Sequence, residues 1–273
     1  MKTFAKIVGA AIIVSAISGC SNNSNPAISN FVISENIKSA SQTYMGISDS
    51  DTIYCTLSTS VQWPEKFGDH SLKVLQDSLY SKLYGPNNAD PSKGIDDAIM
   101  RFIEAPDIFE ADVTLQSVDT IPTQVMRSLY VDATAKIADL NDMFVTYQVN
   151  HQSYSGGAHP NTFTEYFTYD LGMEQVLTPQ NMFVPGSEKD LLEAIKQALA
   201  SQLNVDVDKL DDAGIFTDQL TEIGQPYLLD DSIVFHYNQY DIAPYSMGAI
   251  EVTIWAQEIE QYLTPRLKAL LLD

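Results

Sequence analysis

Two histidines, His151 and His159, flank a sharp bend in the stretch HQSYSGGAHPNTF. Neutral imidazole nitrogens bind transition metals, and imidazole also moves protons near neutral pH. A structural zinc site needs about four such ligands, but no cysteine or third histidine lies close by in the sequence. The spacing of these two histidines therefore does not by itself predict a metal site.

The other residues of this stretch are those of a tight turn. Gly156 and Gly157 allow positive φ, while Pro160 fixes its own φ and biases His159 toward an extended conformation. A structural turn accounts for every one of these residue types, and the sequence shows no catalytic partner for His159. We predict a structural turn that also offers a binding surface, formed by Tyr154, Gly156, Gly157, His159 and Pro160.

Other chemical motifs are weak or missing in the sequence. The segment NVDVDKLDDAG resembles a calcium loop, but Lys209 stands at loop position six where glycine is required, and Ile215 stands at the final acidic position. GxSxG, SxxK, HExxH and phosphate-loop motifs are absent from the sequence. We therefore expect no enzyme activity and no cofactor. A catalytic pair of carboxylates, as in glycosidases, stays an alternative, because the distance between two carboxylates depends on the fold.

The N-terminus, MKTFAKIVGAAIIVSAISGC, is typical of an export signal. Its basic start is followed by an apolar run too short to span a bilayer. Residues 17–20 resemble a bacterial lipobox, which predicts a signal peptide over residues 1–19 and lipidation of Cys20. Residues 20–40 are then predicted to form a flexible polar tether. The other cysteine, Cys55, alternates with apolar residues, and we interpret it as a core residue.

The chain is strongly acidic, with a formal net charge of −21. Residues 210–265 contain ten acidic residues and no lysine or arginine. This excludes nucleic acid as a partner, because phosphate binding needs basic side chains. The acidity is explained either by solubility alone or by attraction of a cationic partner. In the second case the acidic surface would include Asp211, Asp212, Asp230, Asp231 and Asp241.

Hydrophobic periodicity predicts an α+β fold, with antiparallel sheets packed against helices in two sub-domains. Residues 51–63 alternate like a strand, and a helix follows up to Gly85. Asn141 and Asp142 separate two strand patterns, and Ser187 is placed to begin the clearest helix. We expect an N-terminal α+β domain over residues 41–140 and a C-terminal α+β domain over residues 141–273. A further helix is predicted around residues 95–105.

The stretch YSGGAHPNTFTEYFTYDLGMEQVL and the later segment YDIAPYSMGAIEVTI resemble the C-terminal domain family of the anti-sigma factor RsiV, called DUF3298. Residues 41–140 resemble the DUF4163-like domain that often precedes it. The resemblance implies an extracytoplasmic sensor or binding domain, and RsiV itself is a receptor for lysozyme. No lysozyme contact falls on a residue that can be matched here.

Together these features predict a lipid-anchored protein of the cell envelope, in the periplasm or on the cell surface. We expect it to bind a cationic protein such as lysozyme, or a cell-wall glycan. A hydrolase of wall glycans and a purely structural envelope lipoprotein are the alternatives.

Overall fold

The structure is a computed structural model, and it describes residues 31–45, 53–85, 116–118, 127–154 and 158–272. Cys20, Gly156 and Gly157 lie outside the described residues, as do the signal peptide and the helix predicted around residues 95–105. No helix in the described ranges combines the length and apolar character needed to cross a bilayer.

Strands β1–β7 form a seven-stranded sheet in the order β3-β1-β2-β4-β5-β6-β7. They span Phe31–Met45, Ile53–Phe67, Gln116–Val118, Arg127–Leu140, Phe144–Tyr154, Asn161–Asp170 and Gln175–Val176. Strands β8 (Gln225–Leu229), β9 (Ser232–Tyr237) and β10 (Ile250–Trp255) form a second sheet in the order β10-β9-β8. The α-helices of the described residues are α1 (Lys73–Tyr84), α2 (Pro179–Met182), α3 (Glu188–Leu203) and α4 (Pro265–Leu271).

The predicted α+β class is confirmed. Neighbouring strands are antiparallel except for β2 and β4, which pair in parallel from Ile53↔Arg127 to Val61↔Ala135. The tether predicted for residues 20–40 is too long, because β1 begins at Phe31. Residues of β1 pair with β2 along nearly their whole length, which satisfies backbone groups that a tether would leave to water.

Strand β5 belongs to two hydrophobic cores. Val145, Tyr147 and Val149 face the core formed with α1, whereas Phe144 packs into the core formed by α3, α4 and the second sheet. This split follows from the alternation of side chains along a strand. The boundary predicted between residues 140 and 141 falls in the β4–β5 hairpin turn, so it does not separate the cores.

The second sheet covers the part of β6 that β7 leaves unpaired. Thr168 and Thr146 share a hydrogen bond of 2.8 Å between their hydroxyls, and the Leu228 amide donates to Thr168 Oγ1 at 2.9 Å. Further along, the Tyr166 amide donates to the Gln225 side chain at 3.0 Å. Bonds to a strand edge remove exposed donors that would otherwise template aggregation. They also bring residues of the two sheets into one site.

Helix α3 begins one residue after Ser187, as predicted, but that hydroxyl donates to the Val184 carbonyl instead of capping the helix. The helix ends at Leu203, and the next residue, Asn204, adopts the left-handed conformation at φ 56°. Asn204 therefore acts as a helix C-cap, which explains part of the superficial calcium-loop pattern.

Candidate binding site

His159 does not meet His151 in a metal site. His151 Nε2 lies 2.9 Å from the Lys82 carbonyl, and His159 Nδ1 lies 2.9 Å from the Pro160 carbonyl. A carbonyl only accepts, so each of these nitrogens carries a proton. Among the described residues, no group of three or more histidine, cysteine or acidic side chains could hold a metal ion.

The predicted turn instead packs against a segment that lies about 80 residues further along the chain. The His159 ring stacks on Tyr245, with centroids 3.7 Å apart, and the Tyr240 hydroxyl lies 3.3 Å from His159 Nε2. The Tyr245 hydroxyl donates to the Pro160 carbonyl at 3.2 Å. His159, Tyr240 and Tyr245 are called the aromatic platform below. The ring of the predicted Tyr154 lies 6.1 Å from that of Tyr130.

The five predicted acidic residues occupy three separate turns. Asp211 accepts from Thr217, and Asp212 lies 3.8 Å from the amino group of Lys209. Asp230 and Asp231 form the tip of the β8–β9 hairpin. Asp241 follows the opposite end of β9, where its carboxylate accepts from the Asn238 amide.

The six residues of β9 separate the two ends of this hairpin by about 20 Å, at roughly 3.3 Å per residue. At its tip, burial and then the neighbouring Asp230 and Asp231 raise the pKa of Asp139, which accepts from the Asp230 amide. Asp230 and Asp231 therefore lie far from Asp241, and the five carboxylates do not converge on one point.

A cleft of about 570 Å³ opens between α2, the start of α3 and the loop 221–223. Phe183 forms a buried part of its wall, while Leu192 and Ile223 are half-buried there. The rim carries Glu188 and Glu222, and the remaining lining residues are Pro179, Gln180, Pro185, Lys189 and Thr221. Its volume is typical of a ligand site. Sequence reasoning missed this cleft, because its walls come from segments that no motif connects.

Gly224 fixes the loop beside the cleft. It adopts φ 68°, and a Cβ there would lie 2.8 Å from the main-chain oxygen of His236. The Tyr237 hydroxyl also donates to the Glu222 carbonyl at 2.9 Å. The position of this cleft wall therefore depends on close backbone packing against β9.

A polar cluster lies where the two sheets meet. The rings of Tyr166 and Tyr227 stack 4.0 Å apart, and Glu251 Oε1 lies 3.4 Å from His236 Nδ1. The geometry at His236 is that of a close charge contact with Glu251, and neither buried ring nitrogen meets the geometry of a hydrogen bond to a described residue. Interaction with His236, and then with the two tyrosine hydroxyls, lowers the pKa of Glu251 despite its partial burial. Burial, followed by the Glu251 carboxylate, raises the pKa of Tyr166 to about 12.

The lowered pKa of Glu251 predicts a pH-dependent contribution to stability. A carboxylate with a depressed pKa stabilises the fold above its unfolded pKa, and this contribution is lost as pH falls through the folded pKa. We expect Glu251→Gln to lower the free energy of unfolding at pH 7 by less than about 1 kcal/mol, because the side chain is partly exposed. The difference from the wild type should vanish in acid. Urea unfolding between pH 7 and pH 3 measures it.

A double-mutant cycle provides the control for this prediction. Replacing His236 by phenylalanine removes the main interaction that lowers the pKa of Glu251. Glu251→Gln should then have a smaller effect in the His236→Phe background. An equal effect in both backgrounds would contradict the coupling.

A buried ion pair anchors the C-terminal helix to the turn after β6. Arg266 donates two hydrogen bonds to the Asp170 carboxylate, at 2.7 and 2.6 Å, and the Gly172 and Met173 amides donate to the same group. Asp170 is fully buried, and a Cβ on Gly172 would lie 2.9 Å from the guanidinium. The DLG triplet, which the sequence offered only as part of a family pattern, is therefore structural.

The comparisons with known proteins agree with this fold. The chain resembles a DUF3298 family member from Bacteroides fragilis, with a TM-score of 0.68 and 20% identity, over 86% of this chain and 95% of that one. It also resembles a DUF3298 family protein from Pseudomonas aeruginosa, with a TM-score of 0.56 and 20% identity, over 86% and 96% of the two chains.

A curated relative is an esterase of Mycobacterium tuberculosis, Esterase Rv3036c, which is 28% identical over 101 residues. That match covers 36% of this chain and 43% of the esterase, so this chain spans less than half the length of that relative. The family model of DUF3298, described as a protein of unknown function, matches residues 180–256. This range contains α3, the second sheet and most of the residues that line the cleft. Residues 180–256 of this chain therefore carry a DUF3298 domain.

Proposed function

We propose that this chain is a lipid-anchored, non-catalytic binding protein of the cell envelope, and that its partner is a cationic protein. The observation that carries the proposal is the cleft, which combines an apolar wall with two glutamates and one lysine among its exposed lining residues. The lipobox-like residues before Cys20 support an anchor outside the cytoplasm. The resemblance to the RsiV C-terminal domain makes lysozyme, a basic protein, the first partner to test.

The charge distribution supports a cationic partner over other proteins. The formal charge of −21 attracts a basic surface at long range, which raises the rate of association. At short range, an apolar side chain of the partner would enter beside Phe183 and Ile223. Its flanking lysines or arginines would then face Glu188 and Glu222.

The direct test is binding of lysozyme to the full chain, purified in detergent, at low and at moderate salt. We expect a complex that weakens as salt is added, because exposed charges are screened within about 10 Å at 0.1 M ionic strength. Absence of a complex at both salt concentrations would reject lysozyme as the partner.

Variants of the cleft test where the partner docks. We expect Ile223→Ser to weaken binding about tenfold, which corresponds to roughly 1.4 kcal/mol from a lost apolar contact. Met173→Ser is the matched control, because Met173 is an exposed apolar side chain that does not line the cleft. Equal losses from both variants would show that the cleft is not the docking site.

The partial likeness to an esterase favours a second candidate, an ester hydrolase. Serine esterases need a hydroxyl nucleophile beside a histidine. The hydrogen bonds described for His151 and His159 go instead to main-chain oxygens and to a tyrosine hydroxyl. Turnover of p-nitrophenyl acetate by the purified chain, abolished by a single substitution of His151 or His159, would replace the binding proposal with this one.

A further inference from the structure

The aromatic platform has an unusual conformation for a surface site. Tyr240 adopts φ 70° and leaves 56% of its surface exposed. A bulky residue in the left-handed region is strained, and such strain persists where the surroundings impose it. The surroundings of Tyr240 therefore impose a strained backbone on a residue whose ring is exposed to water.

The surroundings of Tyr240 are firmly anchored. The Asn238 side chain accepts from the Thr164 amide at 2.8 Å and donates to the Thr164 carbonyl at 3.0 Å. Asp241 accepts from the Asn238 amide at 2.6 Å. These bonds tie the turn before Tyr240 to strand β6, so the exposed ring is presented by a rigid support.

The other two rings of the platform are oriented by one carbonyl. Pro160 O accepts from both His159 Nδ1 and the Tyr245 hydroxyl, which holds the two rings in a stack. Because Nδ1 carries the proton, His159 Nε2 is the acceptor and the Tyr240 hydroxyl donates to it. The platform thus offers flat ring faces, and its own hydrogen bonds occupy both ring nitrogens of His159 and leave the Tyr240 hydroxyl oxygen as an acceptor.

We propose that the aromatic platform is a glycan-binding site that takes an uncharged pyranose unit of a polysaccharide chain. A pyranose has an apolar C–H face that packs on an aromatic ring, and a rim of hydroxyls that bond to groups at the ring edge. Tyr240 supplies the face, while its hydroxyl oxygen and the Asp241 carboxylate supply a polar border that accepts hydrogen bonds from sugar hydroxyls. Anionic ligands such as phosphopolymers are disfavoured, because the nearby Asp241 and the acidic chain repel them.

This site is independent of the proposed cationic partner. It shares no lining residue with the cleft, and its ligand needs stacking and hydrogen bonds instead of charge. Glycan binding should therefore change little with salt, while binding of a cationic protein should fall steeply. Failure of one proposal leaves the other standing.

Calorimetric titration of the full chain with N-acetylglucosamine tetrasaccharide tests the inference. We expect millimolar to micromolar binding that Tyr240→Ala weakens about tenfold, since one aromatic contact is worth roughly 1 kcal/mol or slightly more. Tyr240→Phe keeps the ring face and should lose less than about threefold.

Trp255→Ala is the matched control, because Trp255 is also 56% exposed but lies at the far end of the second sheet. It should leave the affinity unchanged. The thermal midpoint of each variant shows whether it has folded. The inference is overturned if the wild type does not bind the tetrasaccharide at 10 mM, or if Trp255→Ala weakens binding as much as Tyr240→Ala.

Discussion

Replacing Arg266 by methionine is expected to lower the free energy of unfolding by about 3 kcal/mol, within the range for breaking a buried ion pair. The substitution leaves the Asp170 carboxylate fully buried without its cation. Only the Gly172 and Met173 amides would remain to compensate it. Urea unfolding followed by circular dichroism at pH 7 measures the loss.

The value lies near the lower end of that range because the Arg266 side chain is 37% exposed. The pair has therefore not lost all of its contact with water. The attachment of helix α4 should weaken together with global stability, since Arg266 belongs to that helix. Hydrogen exchange at the amides of α4 should accordingly speed up in the variant.

Lys268→Met is the matched control on the same helix. Lys268 lies 3.2 Å from Glu260, but both side chains are substantially exposed. An exposed pair contributes about 0–1 kcal/mol, so this variant should stay close to the wild type. If the two variants lost equal stability, burial of Asp170 could not be the cause of the Arg266 effect.

Replacing Gly224 by alanine is expected to destabilise the protein by a similar amount, about 3 kcal/mol. Positive φ costs an alanine about 1–2 kcal/mol, and forcing a methyl group into a packed site costs another 1–3 kcal/mol. The new Cβ would lie 2.8 Å from the main-chain oxygen of His236, which cannot rotate away. Relief would require the loop 221–223 to move away from β9.

Gly186→Ala separates the two causes. Gly186 adopts φ 87°, but no atom lies within 4 Å of a Cβ built there. Only the backbone cost applies, and we expect a loss of about 1 kcal/mol. Urea denaturation of both variants measures the two losses. The slope of the unfolding free energy against urea concentration should be the same as in the wild type. A loss at Gly186 as large as that at Gly224 would show that the close contact with His236 is unimportant.

Local patterns in the sequence predicted several elements well. The helix before Gly85, the helix after Ser187 and the Asn141-Asp142 turn all appear where expected. Each depends on residues fewer than about twenty positions apart, so a sequence window contains the whole signal. The predicted N-cap at Ser187 was right in position but wrong in bonding, because the Val184 carbonyl competes for its hydroxyl.

The candidate sites, in contrast, are formed by residues that lie far apart in the chain. Thr168 bonds to Leu228 across 60 residues, and His159 stacks on Tyr245 across 86. The sequence predicted the turn at His159 but no partner for it, because ring stacking between distant residues produces no periodic pattern in a sequence. The five aspartates were predicted to form one surface because they are close in sequence, yet β9 separates Asp230 and Asp231 from Asp241 in space.

The sequence by itself determined the α+β class, the main helices and hairpins, and the strong negative charge, since each follows from composition or from short-range side-chain periodicity. Only the tertiary structure decided the parallel pairing of β2 with β4, the sharing of one sheet by two cores, the cleft beside Ile223 and the aromatic platform at Tyr240. Those features arise where segments far apart in the chain bury one another, and the free energy of such packing depends on three-dimensional contact that no local pattern records.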